Sequence, residues 1–138
     1  MTEVSFSPGY QEFKINDVSP IPTTETIIFE ILPTDSEGSH KLQKHTQFSI
    51  RGNCILGSLT SVVLRIYWLN KETASQLSVM NVSVDKIFLN PAQIILSNGT
   101  FSFTGGIEPT LGIRITIQGT GTNTGSSLTN AYFAVRTN

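Results

Sequence analysis

The chain of 138 residues has little of what stabilises or activates many small proteins. Its only cysteine is Cys54, so an internal disulfide is excluded, and no Cys/His cluster has the spacing of a zinc site. Only 14% of the residues are charged, and no apolar run approaches the roughly 18 residues of a membrane-spanning helix. The N-terminus lacks a basic segment followed by an apolar run, so we expect neither a secretory signal nor a membrane partner. Folding must then depend on one hydrophobic core, which a chain of this length is able to bury.

Signatures of catalysis are absent as well. No serine elbow, Cys/His dyad or pair of acids is recognisable, and we predict that His40 and His45 lie in a solvated loop. Residues 119–125 are rich in Gly and Thr but lack the Gly-Lys-Ser/Thr of a phosphate-binding loop. We therefore expect a protein that is not an enzyme and that uses no metal and no cofactor.

Acidic residues are concentrated at the start of the chain. The first 40 residues hold seven of the ten acids and one base, Lys14. The seven acids are Glu3, Glu12, Asp17, Glu25, Glu30, Asp35 and Glu37. Capsid proteins that package a genome usually neutralise phosphate with a basic arm, so this acidic segment argues against a nucleic-acid partner.

Apolar residues alternate with polar ones along most of the chain, which predicts strands. In residues 62–69, Val62, Leu64, Ile66 and Trp68 fall on one face, and we predict that this face is buried. The alternative for Trp68 is an exposed platform for a sugar. Strands are predicted at 26–31, 48–51, 62–69, 78–84, 93–97, 100–104, 113–118 and 132–136.

These strands predict the fold class. Asn98-Gly99 is typical of a tight turn, so residues 93–97 and 100–104 are predicted to form a hairpin. Helical spacing is missing over any useful length. About eight strands in a chain of this size indicate an all-β fold, an antiparallel β-sandwich of jelly-roll type.

We predict an extended N-terminal arm at residues 1–24, followed by the jelly-roll domain at residues 25–138. The arm contains prolines at positions 8, 20 and 22. Because proline donates no hydrogen bond to a ladder, the arm is expected to be edge-like rather than a central strand. Residues 33–44 and 119–130 are predicted loops.

The four arginines, Arg51, Arg65, Arg114 and Arg136, have the outward parity of their strands. One interpretation is ordinary solvated arginine on a sheet face, where isolated ion pairs contribute about 0–1 kcal/mol. The other is that the acidic arm covers a basic face, in its own subunit or in a neighbour. An arm exchanged between subunits favours a homo-oligomer, with a trimer as the first guess.

One sheet face is the candidate ligand site. Tyr67 and Tyr132 have outward parity beside arginines, and tyrosines of this kind are favoured at carbohydrate and protein interfaces. The alternative is that these tyrosines reflect β-propensity alone. The candidate ligand-binding residues are Arg65, Tyr67, Arg114, Gln118, Tyr132 and Arg136.

Four segments from about residue 45 onward carry a resemblance to known modules. They are VVLRIYWLNKETA (62–74), ILSNGTFSF (95–103), LGIRITIQGTG (111–121) and YFAV (132–135). With these segments the chain resembles the jelly-roll modules of carbohydrate-binding domains and of the decoration, fibre and tail proteins of bacteriophage virions.

The resemblance implies a non-enzymatic structural protein of a viral particle, such as a head decoration, minor capsid or tail-tip subunit of a bacteriophage. Its expected partners are other virion proteins, and its expected location is the virion, or the host cytoplasm during assembly. The alternative is a carbohydrate- or receptor-binding module with a surface glycan as its partner. Such modules often carry a calcium site and exposed tryptophans, whereas here acids are scarce after Glu37 and Trp68 is the sole tryptophan. These departures favour the structural role.

Overall fold

The computed structural model describes residues 2–7, 10–32, 47–69, 87–89, 93–106 and 112–137. The strands formed by these residues are β1 (Thr2–Ser7), β2 (Tyr10–Ile15), β3 (Thr26–Ile31), β4 (Gln47–Ile55), β5 (Leu59–Leu69), β6 (Ile87–Leu89), β7 (Gln93–Ile95), β8 (Gly99–Gly106), β9 (Gly112–Gly121) and β10 (Ser127–Arg136). The described part of the chain contains no helix that is long and apolar enough to cross a membrane.

The strands form two antiparallel sheets that pack face to face. Sheet A has the order β1-β2-β10-β4-β8, and sheet B has the order β3-β9-β5-β6, with β7 also paired to β5. The pairs are nested along the chain: β2 pairs with β10, β3 with β9, β4 with β8, and β5 with β6 and β7. Nested antiparallel pairs divided between two sheets are the jelly-roll arrangement, so the predicted fold class is confirmed.

Aromatic side chains fill the space between the sheets. Phe13, Phe29 and Phe133 lie with their ring centroids 5.6–6.2 Å apart. Trp68 is fully buried and meets Phe48 edge-on at 5.5 Å. Trp68 is therefore a core residue and not a platform for sugar, as its parity in the strand predicted.

Most of the predicted strands are present. Those at 26–31, 48–51, 62–69, 100–104, 113–118 and 132–136 lie within β3, β4, β5, β8, β9 and β10, and the strand predicted at 93–97 is present as the shorter β7. The predicted loop at 119–130 is shorter than expected, because β9 continues to Gly121 and β10 begins at Ser127. The predicted strand at 78–84, the loop at 33–44 and the two histidines lie outside the described residues.

The hairpin predicted at Asn98-Gly99 is wrong. Strand β7 belongs to sheet B and β8 to sheet A, so the chain crosses between the sheets at this dipeptide. Gly99 has a φ of 128°, and the Oδ1 atom of Asn98 accepts a hydrogen bond of 2.7 Å from the backbone N–H of Leu56. The turn residues are thus used for a crossing between layers, which local sequence does not distinguish from a tight turn.

The N-terminal segment is extended, but part of it is a central strand. Strand β2 lies between β1 and β10, and its Phe13 and Ile15 are fully buried. The prolines at 8, 20 and 22 flank β2 and do not interrupt it, so its ladder with β10 is intact. The expectation of an edge-like arm is therefore corrected: residues 10–15 belong to the sandwich, and the boundary proposed at residue 24 does not separate them from it.

The residues that follow β2 also pack on their own chain. Val18 and Leu128 exchange two backbone hydrogen bonds of 2.9 and 2.8 Å. The hydroxyl of Ser126 accepts a 2.9 Å hydrogen bond from the backbone N–H of Ile21. These contacts fasten the connection between β2 and β3 to the loop between β9 and β10.

Candidate functional site

The outer face of sheet B carries a polar network centred on the carboxylate of Glu25. Its Oε2 atom accepts hydrogen bonds from the hydroxyls of Thr116, at 2.7 Å, and of Tyr67. Its Oε1 atom lies 3.7 Å from Nη1 of Arg65, which donates a 2.9 Å hydrogen bond to Oε1 of Gln118. We call these five residues, Glu25, Arg65, Tyr67, Thr116 and Gln118, the Glu25 network. The polar groups of these residues pair with one another. They come from three segments of the chain, namely the residue before β3, strand β5 and strand β9.

The phenol of Tyr67 is held in its protonated form by this network. Burial, the hydrogen bond to Glu25 and the negative charge of Glu25 together raise the pKa of Tyr67 to about 12. A neutral phenol donates its proton to the carboxylate, so Tyr67 acts here as a hydrogen-bond donor within the protein.

Arg114 lies on the same face, but it is buried. It stands between Glu30 of β3 and Tyr67 of β5 in the strand register. Its Nε atom donates a 2.8 Å hydrogen bond to Oε2 of Glu30, and the Arg114 side chain is only 2% exposed. Its outward parity was predicted correctly, whereas its exposure was not.

The outer face of sheet A carries a second charged group. The ring of Tyr132 is flanked by Arg51, with Cζ 4.3 Å from the ring centroid, and by Lys14, with Nζ at 5.3 Å. Oε2 of Glu12 accepts hydrogen bonds of 2.7 Å from Nη2 of Arg51 and from the hydroxyl of Tyr10. Burial and Glu12 raise the pKa of Tyr10 above its ordinary value. The cations that contact Tyr132 are therefore parts of the sheet itself.

The six candidate residues do not form one face. Arg65, Tyr67, Arg114 and Gln118 lie on the outer face of sheet B, while Tyr132 and Arg136 lie on strand β10 of sheet A. Arg136 donates a 2.9 Å hydrogen bond to Oε1 of Gln47 and is exposed. Because the outer faces of a sandwich point in opposite directions, a single ligand cannot contact both groups. The single ligand face is corrected to two separate polar faces.

The sorting of charge along the sequence corresponds to pairing within one chain. Arg51, Arg65 and Arg114 each meet a carboxylate from the first 40 residues, namely Glu12, Glu25 and Glu30 respectively. Only Glu12 belongs to the predicted arm, and it reaches Arg51 from within the sheet. The acidic segment therefore neutralises both outer faces as part of the fold, and not as an arm laid over one basic face.

Sequence reasoning missed a groove on sheet A. The groove has a volume of about 380 Å³ and is lined by Arg51, Gly52, Asn53, Thr100, Phe101, Ser102 and Asn130. Asn130 has a φ of 51°, in the left-handed region, at the point where the register between β10 and β4 shifts. A β-bulge leaves one residue unpaired and bends its strand, which opens space beside the ladder. A bulge has no reliable sequence signal. The one indication here is Asn130, because asparagine adopts the left-handed conformation more often than most residues do.

No group of three His, Cys, Asp or Glu side chains is placed to hold a metal ion within the described ranges. Cys54 is fully buried, and this burial raises the pKa of its thiol. A buried thiol with a raised pKa is a poor nucleophile, so Cys54 is a core residue.

Comparisons with known proteins find a structural similarity but no sequence family. No protein-family model matches the chain, and no curated protein matches it. A chain of the glycosylation associate protein complex from Streptococcus agalactiae aligns with a TM-score of 0.44 and 13% sequence identity, over 91% of this chain. The alignment covers 36% of the other chain, so this chain spans little more than a third of its length.

Proposed function

We propose that this chain is a non-enzymatic structural subunit that acts by assembling with other protein chains. Its proposed setting is a bacteriophage particle. This part of the proposal rests on the resemblance to virion jelly-roll modules, which is carried by residues 62–74, 95–103, 111–121 and 132–135. Homo-oligomerisation is part of the proposal, although the exchanged arm that first motivated it is used within the fold.

The observation that carries the proposal is the edge of sheet A at which the described strands end. Strand β8 is the outermost strand of that sheet, and among the described strands it pairs only with β4. Its sequence, GTFSFTGG, contains no charge and no proline, and its register with β4 is unbroken over all eight residues. Soluble proteins usually block such edges, because unpaired backbone groups are a template for another strand. An edge that no other described strand covers is therefore suited to contact with another chain.

The other edges carry the protections that β8 lacks. Strand β1 contains Glu3 and a shift of register, and β3 contains Glu30 and a shift of register. Strands β6 and β7, at the far side of sheet B, have three residues each. Charge, bulges and short length all discourage edge-to-edge pairing. The contrast supports β8 as the proposed assembly edge.

Light scattering from the full-length protein over a range of concentrations tests this function. We expect oligomers of defined mass that grow in population with concentration. A monomer at every concentration would contradict the proposal. The bacteriophage setting is tested separately by the genomic locus, where we expect genes for portal, capsid or tail proteins, and a locus without them would contradict that setting.

A second candidate function, carbohydrate or receptor binding, is favoured by the groove on sheet A. Arg51, Asn53 and Asn130 bring hydrogen-bonding groups to it. A few converging polar groups of this kind fix the orientation of a small polar ligand such as a sugar. A glycan array tests it: binding that is lost in Asn53→Ala and retained in the exposed control Thr122→Ala would establish this function. Absence of binding from the array would reject it.

A further inference from the structure

We propose that β8 pairs with β8 of a second copy of this chain, antiparallel and about a twofold axis through Ser102. Sheet A would then continue without interruption across two subunits. The inference rests on the proposed assembly function and names its partner and its contact.

The sequence of β8 is a palindrome. Residues 99–105 read Gly-Thr-Phe-Ser-Phe-Thr-Gly in both directions. In an antiparallel pair centred on Ser102, Phe101 lies opposite Phe103 of the second copy and Thr100 lies opposite its Thr104. A twofold interface requires a surface that is complementary to itself, and a palindromic strand meets this requirement at every position.

The side chains match on both faces of the strand. Phe101 and Phe103 face the core side, are only partly buried, and lie with their ring centroids 5.4 Å apart. Pairing would bring four phenylalanine rings together around the axis, as two cross-strand Phe101–Phe103 pairs, and would cover their exposed edges. On the other face, Thr100, Ser102 and Thr104 are exposed and would form cross-strand hydroxyl pairs. Aromatic pairs and Thr/Ser pairs are both favourable across antiparallel strands.

Electrostatics permits this contact. Among the described strands, the nearest ladder partner of Ser102 is Arg51 of β4. In the proposed pair the two Arg51 residues are separated by three inter-strand spacings, or about 14 Å. This distance exceeds the Debye length of about 8 Å at physiological ionic strength, so their repulsion is screened. Neither β8 strand contributes a charge of its own.

The contact is small, so it should depend on concentration. One pair of eight-residue edges buries less surface than a standard stable interface, which needs roughly 1,200–2,000 Å². We expect a monomer–dimer equilibrium when the chain is alone, and a tighter association where further contacts in a particle add to it.

A cysteine placed on the axis tests the register. In an antiparallel pair, opposed Cα atoms lie about 4.5–5.5 Å apart, which is within the range that a disulfide spans. Ser102→Cys should form a covalent dimer under mild oxidation, because the two cysteines face each other. Thr60→Cys, an exposed position on β5 of sheet B, is the matched control and should remain monomeric. The native Cys54 is fully buried and gives no background.

A charge placed on the axis tests the association itself. Ser102→Lys puts two ammonium groups opposite each other and should shift the dissociation constant upward by at least tenfold in sedimentation equilibrium. Thr60→Lys should dimerise as the unmodified protein does. Ser102 is exposed, so both variants should keep the circular dichroism of the folded protein.

The possible outcomes separate this inference from the function on which it rests. Oligomers that persist unchanged in Ser102→Lys, with no rapid cross-linking of Ser102→Cys, overturn the β8 contact and leave assembly by another surface. A monomer at every concentration, again without cross-linking, overturns both. Selective cross-linking of Ser102→Cys together with dissociation of Ser102→Lys supports the contact.

Discussion

Arg114 is the residue whose partner matters most to stability. Its guanidinium is almost entirely removed from water and meets the carboxylate of Glu30, which comes from a different strand. A buried charge left without its partner is strongly destabilising, whereas an exposed pair contributes little. The same chain contains both cases, which allows a matched comparison.

Glu30→Gln should lower the free energy of unfolding by about 2–3 kcal/mol, because it removes the carboxylate charge that the buried guanidinium of Arg114 meets at 2.8 Å. The control is Asp17→Asn, since Asp17 is 63% exposed and meets Lys14 at 3.2 Å. That substitution should change stability by less than about 1 kcal/mol. Urea denaturation measures the loss of stability in each variant. Equal losses would show that the Arg114–Glu30 pair contributes no more to stability than an exposed ion pair does.

Tyr67 should give stability a dependence on alkaline pH. Its pKa is raised from 10.0 to about 12 in the folded protein, so the folded state holds this proton more tightly than the unfolded state does. The resulting stabilisation is complete below pH 10 and is lost as the pH rises from about 10 to about 12.

Denaturation of the wild type and of Tyr67→Phe on both sides of pH 10 checks this dependence. The variant should lose less stability than the wild type over the same interval, because phenylalanine has no proton to release. A wild type and a variant with parallel pH profiles would exclude a role for the Tyr67 proton.

Parity along a strand predicted which way these side chains point, but not what they meet. Arg65 and Arg114 were expected to point outward, and they do. Their partners, Glu25 and Glu30, lie 40 and 84 residues away in the sequence, so the pairing depends on strand order. Strand order was unknown, and for this reason the six candidate residues were assigned to one face when they lie on two.

The loop between β9 and β10 depends on a close approach to the turn between β4 and β5. Gly57 has a φ of 58°, and a Cβ atom built on it would lie 2.2 Å from the backbone oxygen of Thr124. Ser58 N–H donates a 3.0 Å hydrogen bond to the same oxygen. Only glycine allows the two backbones to come this close.

Gly57→Ala should therefore lower the free energy of unfolding by about 3 kcal/mol, from left-handed strain together with the steric clash. Gly125→Ala is the matched control, since Gly125 has a φ of 76° but its nearest neighbour is at 3.8 Å. Strain alone should lower its stability by about 1–2 kcal/mol. Thermal or urea unfolding distinguishes the two, and an equal loss would mean that the clash is relieved by movement of the loop.

Strands with strong alternation were predictable, whereas strand β2 and the pairing of β7 and β8 were not. Val62 to Trp68 alternate over two full faces, and β5 is present there. Strand β2 is hard to predict because prolines lie on either side of it, although none interrupts the strand itself. The dipeptide Asn98-Gly99 was assigned to a hairpin because its local preference is the same whether the chain turns back or crosses to the other sheet.

At the scale of the molecule, the described residues form a jelly roll in which Arg51, Arg65 and Arg114 meet carboxylates of the same chain and in which sheet A ends in an uncharged strand, β8. Period two and the number of strands were enough to predict the sandwich. The nested pairing of the strands depends on contacts between residues far apart in the sequence. Such contacts cannot be predicted from one sequence alone. The palindrome in β8 is visible in the sequence, but its meaning depends on knowing that β8 is an edge.

Hydrogen exchange along β8, measured at several protein concentrations, tests this account most directly. In the monomer, the amides of β8 that point away from β4 pair with no described strand and should exchange quickly. The account predicts that these amides become protected as the concentration rises, while the amides of edge strand β3 stay unchanged. Exchange along β8 that is equally fast at every concentration would contradict it.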